Sequence, residues 1–316
     1  MDNERTKRHT LITAIENERQ SKLISYILSP HGASVADDAL PPLYHQLLTI
    51  GYQERLDLLI SARGGSPESV WRVLSLLREH TNHLAVLLPG QLFSASAFIA
   101  LGADEVVMSP LSELGPMHIQ TIKGPPNEET MGKPQLINPF DIHEFFNFAH
   151  ENGVDPDQAA DMLNIEGSTI GSAMRAVELA RHVCRKALLL SKSIKSDEQI
   201  ENIIDLFTYK SHSSNLPFTR RDCIEELELP VTKASQTLER NMGTLLNHYI
   251  RFTSERTVPE RDPATNVEAQ VVTPAILEST RLTLVHRRKI EIAPNGQVKD
   301  IPGWGGWIDD TVQEVM

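Results

Sequence analysis

Two hydrophobic periods alternate along the chain. In residues 5–20 the apolar positions Leu11, Ile12 and Ile15 share one side of a helix, which predicts a short amphipathic helix. KLISYIL (22–28) is a β-type run, and Leu40, Leu43, Leu47 and Leu48 return to helical spacing. A compact pattern follows. Leu56–Ile60 is a buried strand, Ser61–Pro67 a turn, and Val70–Glu79 a helix carried by Val70, Val73, Leu74 and Leu77. Leu84–Leu88 is a second strand, closed by Pro89-Gly90. Ser94–Leu101 is a small, apolar helix that Gly102 ends, and Glu105–Met108 is a third strand. Strands alternating with helices predict a largely parallel α/β sheet, whose ligand sites gather at the carboxyl ends of the strands.

Beyond this unit the pattern loosens. Residues 121–138 are polar and bear Pro and Gly, which predicts a mobile loop. Helical stretches follow near 140–152, 168–195 and 197–208, then a loop at 211–218 and a short helix at 219–227 that feeds Leu229-Pro230-Val231. Residues 232–251 are helical and 253–268 read as a linker. From 269 the pattern is β-type, through QVVTPAIL and RLTLVHRRKIEIA to an Asn295-Gly296 turn and an aromatic, exposed-looking GWGGWIDD. The expected organisation is an N-terminal helix (1–20), a core (21–232), and a C-terminal extension of helix, linker and β-type segments (233–316). No internal repeat is present.

The 316 residues are 40% apolar and 23% charged, enough for a sizeable core. A net charge of −12 repels phosphate backbones and anionic lipid, so neither nucleic acid nor a membrane is the expected partner. Two isolated cysteines, Cys184 and Cys223, argue against a disulfide framework or a Cys-based zinc site. The charged start MDNERTKRHT leads into no apolar run, and the uncharged stretch Leu84–Ala103 is broken by Pro89-Gly90-Gln91 and two serines. The expected location is cytoplasmic.

Three signals bear on chemistry. Gly64-Gly65 lies between a strand and a helix, where backbone N–H groups can face a ligand without an intervening Cβ; a tight βα turn is the plainer reading. No G-x-G-x-x-G is present, so a dinucleotide site has no support. Ser94 opens the next helix, where a hydroxyl is exposed at a sheet edge beside helix-start N–H donors, as acyl transfer needs. Its surroundings, Phe93-Ser94-Ala95-Ser96-Ala97, are not a G-x-S-x-G elbow. His118, after the third strand, is placed to exchange a proton with a serine, although any one of 12 histidines can be merely structural.

Together, SARGG (61–65), SASAFIALGADEVVM (94–108) and SPLSELGP (109–116) resemble the proteolytic subunit of Clp protease and its relatives, and most closely the serine dehydrogenase proteinase family. The resemblance runs from about residue 5 to 232, and more weakly through AILEST (275–280). It implies a ClpP/crotonase-like α/β fold of repeated β-β-α units, here with a β-rich C-terminal extension, and a serine peptidase without cofactor or metal. Ser94 falls on the nucleophile, His118 close to the general base, and Gly65 and Ala95 on the oxyanion-hole N–H donors; Gly64 and Arg63 border the substrate. Arg63 stands where the family has a proline. Asn215 aligns best with the family's acid and, being uncharged, stabilises an imidazolium less than a carboxylate does; Asp222 and Asp205 are alternatives. A Ser–Lys dyad using Lys123 or Lys133 is a further alternative. The resemblance also implies a homo-oligomer acting on peptides or unfolded segments. Any unfoldase or activating partner would be a separate chain, since no G-x-x-x-x-G-K-[ST] is present. Two other classes remain open. One is an inactive assembly module docking through Trp304 and Trp307. The other is acyl-CoA chemistry, which the acidic balance disfavours.

Overall fold

The computed structural model of the chain describes residues 2–30, 32–124, 135–163, 165, 167–193, 196–208, 216–257, 260–261, 268–293 and 296–311. The N-terminal half runs α1 (Asp2–Arg19), β1 (Lys22–Leu28), α2 (Leu40–Ile50), β2 (Gln53–Ser61), α3 (Pro67–Arg78), β3 (Thr81–Leu88), β4 (Gln91–Leu92), α4 (Ala97–Leu101), β5 (Glu105–Met108) and β6 (Glu113–Leu114). Then come β7 (Thr121–Gly124), β8 (Gln135–Ile137), α5 (Pro139–Glu151), α6 (Pro156–Leu163), α7 (Gly167–Leu188) and α8 (Asp197–Phe207). The chain finishes with β9 (Phe218–Thr219), α9 (Arg220–Glu225), β10 (Val231–Lys233), α10 (Gln236–Ser254), β11 (Glu260–Arg261), β12 (Glu268–Glu278), β13 (Thr283–Ile292) and β14 (Val298–Asp309).

A nine-stranded sheet has the order β10-β5-β3-β2-β1-β12-β13-β14, with β11 paired to β12. From β10 to β1 all pairings are parallel; from β1 through β14 they are antiparallel. The parallel strands read as near-continuous apolar runs because both their faces are covered. Alternate residues divide between two cores. Tyr26, Leu58, Ile60, Val86, Leu88 and Val106 face α2, α3, α4, α7 and α8, whereas Leu23, Ile27, Leu59, Leu87 and Val107 face α1 and α10. A second, small sheet, β4-β6-β9, stands at the carboxyl ends of the parallel strands. The result is the expected α/β architecture of β-β-α units: a long strand, a short strand in the second sheet, then a helix, as in β3-β4-α4.

Several local expectations change. The region 121–138, read as a loop, begins and ends as strands: Thr121 and Ile122 pair with Ile137 and Leu136, because a β-branched end at each side outweighs the polar middle. Lys133 and the rest of 125–134 lie outside the described residues. Helix α6 was not expected. The helix expected over 168–195 stops at Leu188, where Arg78 binds the Leu190 carbonyl and Asp104 accepts the Lys192 N–H. Residues 303–309 form the end of β14; Gly303, Gly305, Ile308 and Asp309 are exposed, whereas Trp307 is half-buried, 6.4 Å from the Tyr26 ring.

Strands β12, β13 and β14 extend the same sheet, since β12 pairs with β1. The packing of this C-terminal segment is largely apolar, through Leu238, Met242, Leu245, Ile276 and Val285, around one buried polar cluster. The fully buried Glu278 carboxylate accepts from both Arg8 Nε (2.7 Å) and Nη2 (2.9 Å), from Tyr249 Oη (2.8 Å) and from Thr283 Oγ1 (2.9 Å). So many donors offset the cost of burying the charge. A second ionic cluster fixes α1 across the sheet: Arg19 bonds Asp57 of β2 (2.9 Å) and Glu105 of β5 (2.8 Å).

Burial alone would raise the Glu105 pKa, but hydrogen bonds and charge from Arg19, with help from Thr232 and Arg55, hold it down at about 2. A carboxyl whose folded pKa is depressed stabilises the fold above its ordinary value of 4.5, and that stability is lost as pH falls toward 2. Urea midpoints measured from pH 6 to 2 should therefore fall less steeply for Glu105→Gln than for wild type. Parallel curves would show that the carboxylate adds nothing.

Candidate active site

The turn after β2 is set by three neighbours. Ala62 forms a parallel bridge with Leu92, accepting from Phe93 N–H (3.0 Å) and donating to the Gln91 carbonyl (3.1 Å). Gly64 adopts φ 146°, a backbone open to glycine, and its carbonyl accepts from Val35 N–H (2.9 Å). A Cβ on Gly65 would lie 2.7 Å from the Val35 carbonyl oxygen, so no side chain fits. Ser66 then caps α3 by accepting from Ser69 N–H.

Ser94 lies against this turn: a Cβ built on Gly64 would touch Ser94 Cβ at 3.9 Å. It follows β4 and Phe93 and opens the 3-10 helix Ser94–Ser96 that leads into α4. Its φ is 57°, a left-handed conformation that costs a non-glycine residue roughly 1–2 kcal/mol. The surroundings that hold it are tight. Ser96 Oγ bonds the Phe93 carbonyl (2.6 Å), and Gly115 leaves room for the Phe93 ring, which would meet a Cβ there at 1.9 Å. Ala95 is buried directly behind the serine, in the first turn, where N–H groups have no partner within the helix.

Ser94 Oγ is half-buried, accepts from the backbone N–H of His118 (3.3 Å) and lies 3.7 Å from Met117 Sδ. The His118 ring is exposed and makes no hydrogen bond to Ser94 Oγ. Both residues nevertheless line one open depression of about 640 Å³, together with Arg63, Gln91, Phe93, Glu113, Pro116 and Pro217. Arg63 is exposed, its guanidinium carbon 5.8 Å from the Phe93 ring centre.

The structure thus brings Arg63, Gly64, Gly65, Ser94, Ala95 and His118 into one neighbourhood. Asn215 lies outside the described residues, although Pro217, two positions on, borders the depression. The alternative acids are engaged elsewhere. Asp222 forms the capping box of α9 with Thr219, and Asp205 pairs with Arg181 at 3.0 Å. The side chains of Lys123 and Trp304, like all of Lys133, are outside what is described. Sequence reasoning passed over Glu113 and Gln91, which hydrogen-bond each other (3.0 Å) at the rim. The LSELGP string contained that glutamate, but only the pairing of β4 with β6 turns it toward Gln91. Among the described residues no cluster of three metal-binding side chains occurs, and no helix is long and apolar enough to cross a membrane.

No family model matches this chain, and no curated protein matches it. Solved structures similar to it include the ClpP protease catalytic domain from Plasmodium falciparum (11% identity, 69% of this chain and 87% of that one, TM-score 0.37). ClpP1 from Listeria monocytogenes (13%, 68% and 94%, 0.36) is another. A third is a mutant of the 1510-N membrane-bound stomatin-specific protease (13%, 75% and 88%, 0.38).

The close approach at Gly65 has a measurable consequence. Gly65→Ala forces the Val35 backbone or the turn to move, at an expected cost of about 1–3 kcal/mol, the usual range for overpacking. Gly243→Ala, at a glycine without positive φ whose added Cβ meets nothing within 4 Å, controls for the loss of a glycine alone. Equal losses of thermal stability in the two variants would contradict the steric account.

Proposed function

We propose that the protein is a serine peptidase of the Clp-protease-like kind. The observation that carries this reading is the juxtaposition of the Gly64-Gly65 turn with a left-handed, solvent-reachable Ser94 at the carboxyl ends of parallel strands. In this reading Ser94 Oγ attacks the peptide carbonyl carbon, and its proton passes to the His118 ring and then to the leaving amine. The Gly65 and Ala95 N–H groups hold the oxyanion. Water then cleaves the acyl-enzyme by the same steps reversed. This reading requires the exposed His118 ring to turn toward the hydroxyl, which receives the His118 backbone N–H at 3.3 Å. Asn215 orients that ring, while Gly64 and Arg63 border the bound peptide. The motif resemblance supports peptides or unfolded segments as substrates, a homo-oligomer as the working form, and membership of the serine dehydrogenase proteinase family. Two isolated cysteines are in keeping with a cytoplasmic location.

A fluorophosphonate probe tests the nucleophile: wild type should be labelled at Ser94, and Ser94→Ala should not. Absence of labelling in every assembly state would favour a catalytically inactive assembly module instead. His118→Ala should lower peptide hydrolysis by about 10²–10⁴-fold, the usual contribution of a general base. Undiminished hydrolysis would move the base to the alternatives Lys123 or Lys133, to be replaced in turn.

A further inference from the structure

The C-terminal hairpin ends on the loop that supports the glycine turn. Residues 32–39 join β1 to α2 and are bonded on two sides. On the hairpin side, Arg288 Nη2 donates to the Gly32 carbonyl (3.3 Å), and the Asp38 carboxylate accepts from Trp307 Nε1 (3.1 Å). His286 Nε2 stands 3.3 Å from the same Asp38 oxygen, and its ring meets the Trp307 ring edge-on at 5.5 Å. On the glycine side, Val35 N–H donates to the Gly64 carbonyl (2.9 Å), and the Val35 backbone fills the space a Gly65 side chain would need. Asp38 itself sits in a single 3-10 turn, Asp37–Ala39, with Asp37 Oδ1 accepting from Ser69 Oγ of α3 (2.7 Å) and pairing with Arg72.

We propose that β13 and β14 brace the Gly64-Gly65 turn through this loop, which makes Trp307 and Asp38 positioning residues for the Ser94 site. This deepens the peptidase reading and rests on it for its catalytic meaning. Only Ala36 and Asp37 separate Val35 from Asp38, and the 3-10 turn that holds Asp38 is short and bonded, so a shift at Asp38 is passed to Val35 and on to the glycine turn. An oxyanion donor works only when held within fractions of an ångström of its place. The Asp38 side chain is 54% exposed, so its contacts add little to global stability. Their energy goes to local order. The extension joins the same sheet as the core, so it can set the turn of a site some 240 residues earlier in sequence.

The experiment uses the full chain and three variants. Trp307→Phe keeps an aromatic ring but removes the N–H donor, Asp38→Ala removes the acceptor, and Asp38→Asn restores an acceptor oxygen. Amide hydrogen exchange at Val35 and fluorophosphonate labelling at Ser94 are read together. In Trp307→Phe and Asp38→Ala, Val35 exchange should rise and labelling should slow, each about tenfold, less than the roughly 10²-fold cost of a 1 Å misplacement. Amides of β3 should keep their wild-type protection, and Asp38→Asn should recover most of both values. Unchanged Val35 exchange in both deleting variants overturns the brace. Faster exchange with an unaltered labelling rate overturns the positioning role. Wild type that fails to label at Ser94 overturns the peptidase reading, while the exchange data still decide the brace.

Discussion

The approach of the Val35 backbone to Gly65 is the constraint on which the rest of the site depends. A carbonyl oxygen 2.7 Å from where a Cβ would stand leaves one residue type at that position, and the Val35 N–H to Gly64 carbonyl bond keeps the two segments together. With the turn held there, the chain leaving β2 meets the chain leaving β4, and Ser94 is placed against the glycines by the Ala62 to Leu92 bridge. Each of these contacts joins the carboxyl end of a parallel strand to a neighbour. That is the region where an open α/β sheet leaves backbone groups and side chains free to face a ligand.

Strain and support are balanced around the serine. Its left-handed φ persists because the residues on either side have no alternative: Phe93 is stacked on a glycine that a Cβ would displace, and Ala95 is buried in the core. Strain of this kind is retained where neighbouring packing over-determines the backbone. Here the packing comes from strings that are distinctive in sequence for the same reason, since LSELGP supplies Gly115 and SASAF supplies the small residues of the tight turn.

The two ionic clusters serve a different end. Glu278 with Arg8, and Arg19 with Asp57 and Glu105, fasten the N-terminal helix to strands from the middle and the end of the chain. Their charges are buried with enough donors to stay paired. They fix which helix lies on which strand. The C-terminal hairpin is thereby part of the same body as the parallel strands. Its Trp307, which composition alone would offer as a docking residue, is half-buried beside Tyr26 and donates to Asp38.

The sequence by itself determined the order of the longer strands and helices from residue 22 to 108, because runs covered on both faces must be apolar throughout and helices must carry a one-sided stripe. It also marked Gly64-Gly65, Ser94 and His118, since turn glycines and a serine at a helix start are local signals. The two-residue strands β4, β6 and β9, strands β7 and β8, and helix α6 escaped it, being too short or too thin in apolar content to outweigh a polar setting. Only the tertiary structure decided that Val35 closes on Gly65, that Glu113 meets Gln91, that the His118 backbone rather than its ring reaches Ser94, and that Trp307 holds Asp38. Those pairings depend on which strand lies beside which and on the register between them. Register is a property of two segments at once, and periodicity within one segment carries no record of it.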